Sequence, residues 1–406
     1  MLGQTVMTDA KSLPDQQRRQ ALRCVGGVLA AAASPGVRAA DKAPLQIGID
    51  AEFGLIRSTS AQAIQLGAQA AVNEINAAGG LLDGRPLELV LRDNSSVPAR
   101  GVDNLRQLAA MPNLVAVFGG RFSPVILEQL PLIAEHRIPF IAVWSSAEKI
   151  VRNDMRPNYV FRVSLRDSIA MPFMLNHAKK RGIARIGLLL SNTAWGRSNL
   201  EAAERYLRNA RGLAIVSSSW INWADASLIS KYQGLLAAGA QAIVVVANDE
   251  SAILVREMAA LPPAQRLPLI LHWGATGGEF VEQAGAALRE VDLSVVQTFS
   301  FFNADPALRK HFMQLAAPLG VGRFEEIRSA VGVAHAYDAV HLLALAIRKA
   351  GTPDRARIRN ALEHLPAWRG LVKHYHPAFS PDDHEALSQK ELLMARYRDD
   401  GVLVPR

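Results

Sequence analysis

Cysteine is nearly absent: one in 406 residues, Cys24, lying ahead of the first strand-like segment. Once a leader ending near residue 40 is removed, no cysteine remains and disulfides are excluded. Beyond that leader no apolar run approaches the twenty residues needed to span a bilayer, so the rest reads as soluble. No Gly-x-Gly-x-x-Gly follows the first strand, so dinucleotide binding has no support there, and neither a P-loop nor a Gly-x-Ser-x-Gly elbow appears. Serines and histidines are plentiful without a defensible triad. The body also lacks a basic run. Of the formal +8, a net +3 sits in Lys11, Arg18, Arg19, Arg23, Arg38 and Lys42 against Asp9, Asp15 and Asp41. A nucleic-acid partner is therefore not expected.

What is present begins with that leader. A polar segment carries Arg18-Arg19, an apolar stretch covers residues 25–33, and Val37-Arg38-Ala39-Ala40 offers small residues for a signal peptidase. This is the three-part pattern of an export signal over residues 1–40, and Arg18-Arg19-Gln20-Ala21-Leu22-Arg23 also resembles a twin-arginine signal. Cys24 follows Arg23 and precedes the apolar stretch, a poor position for a lipid anchor.

Residues 45–93 organise everything after it. The apolar run Leu45-Gln46-Ile47-Gly48-Ile49-Asp50 leads through a small loop to Ile64, Ala68, Ala71, Val72 and Ile75, which recur at helical spacing. Ala77-Ala78-Gly79-Gly80 ends that helix, and Leu87-Glu88-Leu89-Val90-Leu91 follows the turn Asp83-Gly84-Arg85-Pro86. Strand, helix and strand in about fifty residues predict a right-handed βαβ unit. The unit recurs: helices are expected over 98–110 and 125–136, strands over 113–118 and 138–143. From residue 185 the order repeats, with strands over 186–190, 213–218, 241–246 and 267–271 and helices over 199–210 and 252–260. Half the chain is hydrophobic, enough for two cores, and the expected architecture is α/β: two Rossmann-like lobes with parallel sheets.

Open parallel sheets bind ligands beyond the carboxyl ends of their strands, so residues just after each apolar run carry the information. They are 50–53, 119–123 and 144–146 in the first lobe, and 192–195, 247–250 and 273–276 in the second. Three of the six tryptophans, Trp144, Trp195 and Trp273, fall there. An indole needs a large apolar contact and an N–H partner, which suits a ligand wall; the plainer reading is that each caps its own sheet.

The segment from Gly67 through Ala68-Gln69-Ala70-Ala71-Val72-Asn73-Glu74-Ile75-Asn76-Ala77-Ala78-Gly79-Gly80, with residues 87–93, 138–146 and 191–196, resembles a type I periplasmic solute-binding protein of the branched-chain amino acid and amide group. These Leu/Ile/Val-binding-protein-like receptors serve ABC importers. The resemblance implies two lobes joined by a three-strand hinge, crossing near Val163, Thr298 and Val372, that clamp a small solute. Lobe one would comprise residues 44–163 plus 299–371, with a long helix over 328–350, and lobe two residues 164–298 plus 372–406. It also implies a monomer without cofactor or catalysis in the periplasm, whose partners are the solute and a membrane permease with its ATPase. A ligand sensor of the same fold is the alternative; an enzyme is less favoured.

Site residues carry over from the resemblance singly. Ser123 matches the serine that holds a ligand carboxylate, Ser145 and Ser146 match the next hydroxyl-bearing loop, and Trp144 replaces a smaller residue. Trp195-Gly196 matches a tyrosine before glycine, and Tyr337 an inward tyrosine on the late helix. Near Trp273 no acid matches the one that takes the ligand ammonium. Glu52 and Asp249 are the candidates to replace it, although either could be a solvated carboxylate or, for Asp249, a helix cap. The missing acid puts an ordinary aliphatic amino acid in doubt; the solute is expected to be an amino acid-like compound, an amide or, as the tryptophans suit, a planar or aromatic compound or an amine held by cation–π contact. His374 and His376 lack a third metal ligand nearby, so no metal is expected.

Overall fold

A computed structural model describes residues 42–55, 58–223 and 225–406. The export leader and Cys24 lie outside the described residues. The first sheet contains β1 (Leu45–Ala51), β2 (Leu87–Asp93), β3 (Leu114–Gly119), β4 (Phe140–Ala142) and β5 (Val160–Arg162), connected through α1 (Thr59–Ala77), α2 (Pro98–Ala109) and α3 (Ser123–Glu135). All pairings are parallel in the order β2-β1-β3-β4-β5. Helices on both faces leave β3 buried at every position, and its sequence runs Leu-Val-Ala-Val-Phe-Gly without polar alternation. Helix α1 begins with the Ser58 hydroxyl accepting from the Ala61 N–H. It ends where Gly79 and Gly80 take positive φ, as the sequence predicts.

The second sheet takes up the chain after α4 (Asp167–Lys180). Its parallel strands are β6 (Arg185–Ser191), β7 (Ala214–Ile221), β8 (Ala242–Val246), β9 (Leu269–Leu271) and β10 (Leu293–Gln297), linked by α5 (Ala194–Leu207), α6 (Ile229–Ala237), α7 (Ser251–Ala259) and the short α8 (Phe280–Ala284). The chain then returns to the first sheet with α9 (Pro306–Ala316), α10 (Ala330–Ala350) and α11 (Arg355–Leu362), and forms a hairpin of β11 (Trp368–Arg369) and β12 (His374–Tyr375). Strands β13 (Leu393–Tyr397) and β14 (Leu403–Pro405) complete the second sheet as an antiparallel edge, in the order β14-β13-β10-β9-β8-β6-β7.

The chain passes between the sheets three times. The first two passages follow β5 and β10, beside Val163 and Thr298. After the hairpin, residues 372–384 stay against the first sheet: Tyr375 donates to Asp338 at 2.8 Å, and Phe379 packs edge-on to Phe161. The third passage comes only after Glu385, which pairs with buried Arg162 at 2.6 Å. Helix α10 is long and apolar enough to cross a membrane, a run that the sequence reading overlooked because His335, Asp338 and His341 interrupt it. Nearly all of it is buried inside the protein, where it packs on α1.

Candidate functional site

A narrow cleft opens beyond the carboxyl ends of the two sheets. On the first side it is reached by the turn after β3 and the loop after β4, next to the β1/β3 junction where the strand order reverses; such a switch point leaves a crevice that side chains must fill. Arg121, Phe122, Ser123, Trp144 and Ser146 form that wall. Opposite them stand Trp195 in the first turn of α5, Asn248 after β8, and Trp273 and Gly274 in the 3₁₀ turn Trp273–Thr276 after β9.

The three predicted tryptophans converge. Trp144 and Trp273 are 1% exposed, and their rings lie 5.7 Å apart, tilted 45°. The benzo edge of Trp144 rests on α10, where a Cβ at Gly332 would come within 2.6 Å of it, so its Nε1 lies on the side away from that helix and has no hydrogen-bond partner. Trp195 donates its indole N–H to Asp167 at 3.2 Å and meets His272 edge-on at 4.9 Å. Asp167 and His272 are fully buried and 3.4 Å apart, a polar pair behind Trp195 and outside the cleft lining, which sequence reading missed because residue 167 opens one helix and residue 272 closes a distant strand. Trp223, 53% exposed, stands edge-on to Phe122 at 6.2 Å, at the mouth. Trp195 was expected in a loop; α5 starts five residues earlier than predicted, which brings the ring into a helical first turn.

The hydroxyl residues divide. Ser123 and Ser146 reach the cleft, and the Ser123 oxygen also accepts from the Ala147 N–H at 3.3 Å. Ser145 does not: its hydroxyl donates to the Gly120 carbonyl at 2.6 Å and ties two strand-end turns together. Tyr337 is elsewhere. It faces α1 across the helix layer, donating to Glu74 at 2.6 Å and packing edge-on to Phe312, so the inward role carried over from the resemblance has no counterpart here.

The charged residues were the least legible. Glu52 is fully buried behind the wall, accepting from the hydroxyls of Ser58 and Ser60. Asp249 neither caps α7, whose N-cap is Glu250, nor lines the cleft; it sits 3.3 Å from Nη1 of Arg121. Burial raises its pKa, against the attraction of Arg121, and burial with repulsion from Asp249 raises Glu250. Arg121 joins the two halves: Nη1 also donates to the Gly274 carbonyl at 3.2 Å, while Nε lies 3.8 Å from Glu52. Its position two residues past the end of β3 was the signal available, but the partners that define its role are 128 and 153 residues away. The rings of His374 and His376 lie 3.8 Å apart, tilted 52°, at the end of the β11–β12 hairpin, and neither lines this cleft. Among the described residues no three His, Cys, Asp or Glu side chains gather as a metal set. The assembled groups are donors, hydroxyls and ring faces around a void, an arrangement for holding a small molecule.

Comparison with known proteins agrees with this geometry. A family model described as periplasmic binding protein matches residues 49–401. The Leu/Ile/Val-binding protein homolog 1 of Brucella suis biovar 1 is 24% identical over 314 residues, 76% of this chain and 79% of that protein. A type 1 periplasmic binding protein from Bordetella pertussis Tohama I superposes with a TM-score of 0.80 at 21% identity, covering 89% of this chain and 99% of that one. A solute-binding protein of an ABC transporter from R. palustris, solved with 4-hydroxybenzoate, superposes with a TM-score of 0.75 at 17% identity, covering 89% and 95%.

Proposed function

The chain belongs to the periplasmic binding protein family, whose members bind solutes and are not enzymes, and from that premise we propose that it is the receptor of an ABC importer for a small planar or aromatic organic solute. The observation that carries this is the cleft itself, a void between two parallel sheets walled by Trp144, Trp195 and Trp273. Flat indole faces reward a flat ligand and give little to a branched aliphatic one. The solute meets the first lobe through Ser123 and Ser146, and closure brings Trp195 and the Trp273 turn onto it. Only contacts better made in the closed form favour that form, and indole faces contributed by the opposite lobe are such contacts. A permease then takes the solute from the closed receptor, and its ATPase supplies the energy.

In this reading residues 1–40 are an export signal, the mature chain works as a periplasmic monomer, and each lobe is built from separate stretches of sequence. Lobe one contains residues 44–163 with 299–384, and lobe two residues 164–298 with the strands β13 and β14.

A thermal-shift screen of the mature chain against amino acids, amides, amines and aromatic acids tests it. A true ligand at a hundred times its Kd adds about 2.7 kcal/mol, visible as a rise of roughly several degrees. Trp195→Ala should weaken the hit by about 1.5 to 3 kcal/mol, and unchanged affinity would remove Trp195 from the site. Uptake of the same compound must disappear when the gene is deleted; binding without loss of uptake would mark a sensor instead.

A further inference from the structure

Of the side chains lining the cleft among the described residues, Arg121 alone carries a formal charge, and it is a cation. Two buried donors on this wall are unsatisfied: Nε of Arg121 and Nε1 of Trp144. A buried donor without an acceptor is costly, so two of them at one void call for an acceptor that arrives from outside. Resting on the solute-receptor reading above, we propose that the solute is an aromatic monocarboxylate without an α-ammonium group, its carboxylate taken by Arg121 and the Trp144 indole N–H and its ring packed against the tryptophans.

The surroundings of the guanidinium support a fixed anion site. Nη1 is committed to the Gly274 carbonyl and to Asp249, and Glu52 lies behind Nε, beyond hydrogen-bond distance at 3.8 Å. Glu52 and Asp249 both face this guanidinium and hold it in place; Nε has no hydrogen-bond acceptor, so a carboxylate that reaches it need not break the bonds at Nη1. The same geometry rejects an amino acid. Glu52 is turned toward Ser58 and Ser60, Asp249 toward Arg121, and neither lines the void, so an α-ammonium would enter a cleft that offers it no carboxylate. Burying that charge unpaired is costly.

Isothermal titration of the mature protein with benzoate, benzamide, L-phenylalanine and L-leucine tests the proposal. Benzoate should bind at least about tenfold more tightly than each of the others, since benzamide lacks the charge and the amino acids add an unpaired ammonium. Arg121→Gln should weaken benzoate by about a hundredfold. Because that change also leaves Glu52 and Asp249 without their cation, Arg121→Lys and Trp144→Phe are read beside it: lysine keeps the charge without the planar fork, phenylalanine keeps the ring without the N–H. Each should lose about fivefold to tenfold for benzoate while the thermal unfolding temperature in the absence of ligand stays within a few degrees. The proposal is overturned if benzamide or an amino acid matches benzoate, if benzoate does not bind, or if both conservative variants bind it like the wild type. Binding of an amino acid alone would overturn the ligand class and leave the receptor reading intact; failure of every class in the wider screen would remove both.

Discussion

Ser145 and Ser146 are adjacent, chemically identical and turned to different purposes. Ser145 satisfies the Gly120 carbonyl at the end of the first sheet, so Ser145→Ala leaves a buried acceptor without its donor and should cost about 1–3 kcal/mol in urea unfolding. Ser146 borders the cleft, so Ser146→Ala should leave stability within about 0.5 kcal/mol and appear instead in the titration of the solute. Equal stability losses in both variants would contradict this division. Two such neighbours look alike in a sequence because a strand end alternates its side chains only until the strand stops, and the turn that follows obeys no simple period. The same limit explains Arg121, Asp249 and Tyr337. Loop position put Trp144, Trp195, Trp273, Ser123 and Ser146 around one void, yet which carboxylate pairs with which cation depended on approaches between segments more than a hundred residues apart. Tyr337 failed for a different reason: α10 is buried on nearly every face, so its periodicity leaves the direction of one ring undetermined.

At the scale of elements the fold was far more legible, because strand and helix periods are local. The unit β1-α1-β2, the glycine stop after α1 and the second run of strands all follow from spacing, and α2 departs from its expected bounds by a single residue. Less was readable where the chain returns. Helices α9 and α11 and the small β11–β12 hairpin went unread, and the final passage between sheets lies beyond Glu385 because the Tyr375 hydroxyl and the amides of Leu371 and Val372 are bound by Asp338 on α10. What lets α1 and α10 lie close is Gly67: a Cβ there would fall 2.0 Å from the Val333 carbonyl oxygen. The obstacle is backbone, which cannot rotate away, so Gly67→Ala must push the helices apart. A loss of about 3 kcal/mol or more in denaturant unfolding is expected. An alanine variant as stable as the parent would mean that the helices are not in contact at this crossing.

For the whole molecule, buried and partly buried groups shape the response to acid in opposite directions; His177, lowered to about 4 by burial and by the charges of Arg181 and Arg406, acts in the same direction as His335. His335 ties α10 to the end of β4 and to the second passage between the sheets. Its Nδ1 donates to the Val143 carbonyl at 3.0 Å, and its Nε2 lies 2.8 Å from the Thr298 hydroxyl. Burial lowers its pKa to about 4, against the pull of the Val143 carbonyl, so the unfolded chain takes up a proton first as pH falls below 6.5 and stability declines between 6.5 and 4. Asp338 and Asp50 do the reverse. Burial raises both to about 6, opposed for Asp338 by the Val372 and Leu371 amides and Tyr375, and for Asp50 by Asn104, Asn94 and Gln129. These two are protonated in the folded chain first, so stability rises as pH falls from 6 toward 4. Glu74 enters later: burial would raise it, but hydrogen bonds from His341, Tyr337 and His311 override that and lower it to about 2. Its contribution is complete above about 4.5 and is lost as pH falls toward 2. The unfolding temperature should therefore change little from pH 6.5 to 4, where gains and losses offset, and drop steeply below 4, where only losses remain. His335→Gln keeps a donor for Val143 and removes the titration, so its unfolding temperature should rise between pH 6.5 and 4 relative to its own value at pH 7. A wild-type profile that falls steadily from 6.5, or a glutamine variant that follows the wild type throughout, would show that His335 is not a group opposing the two aspartates.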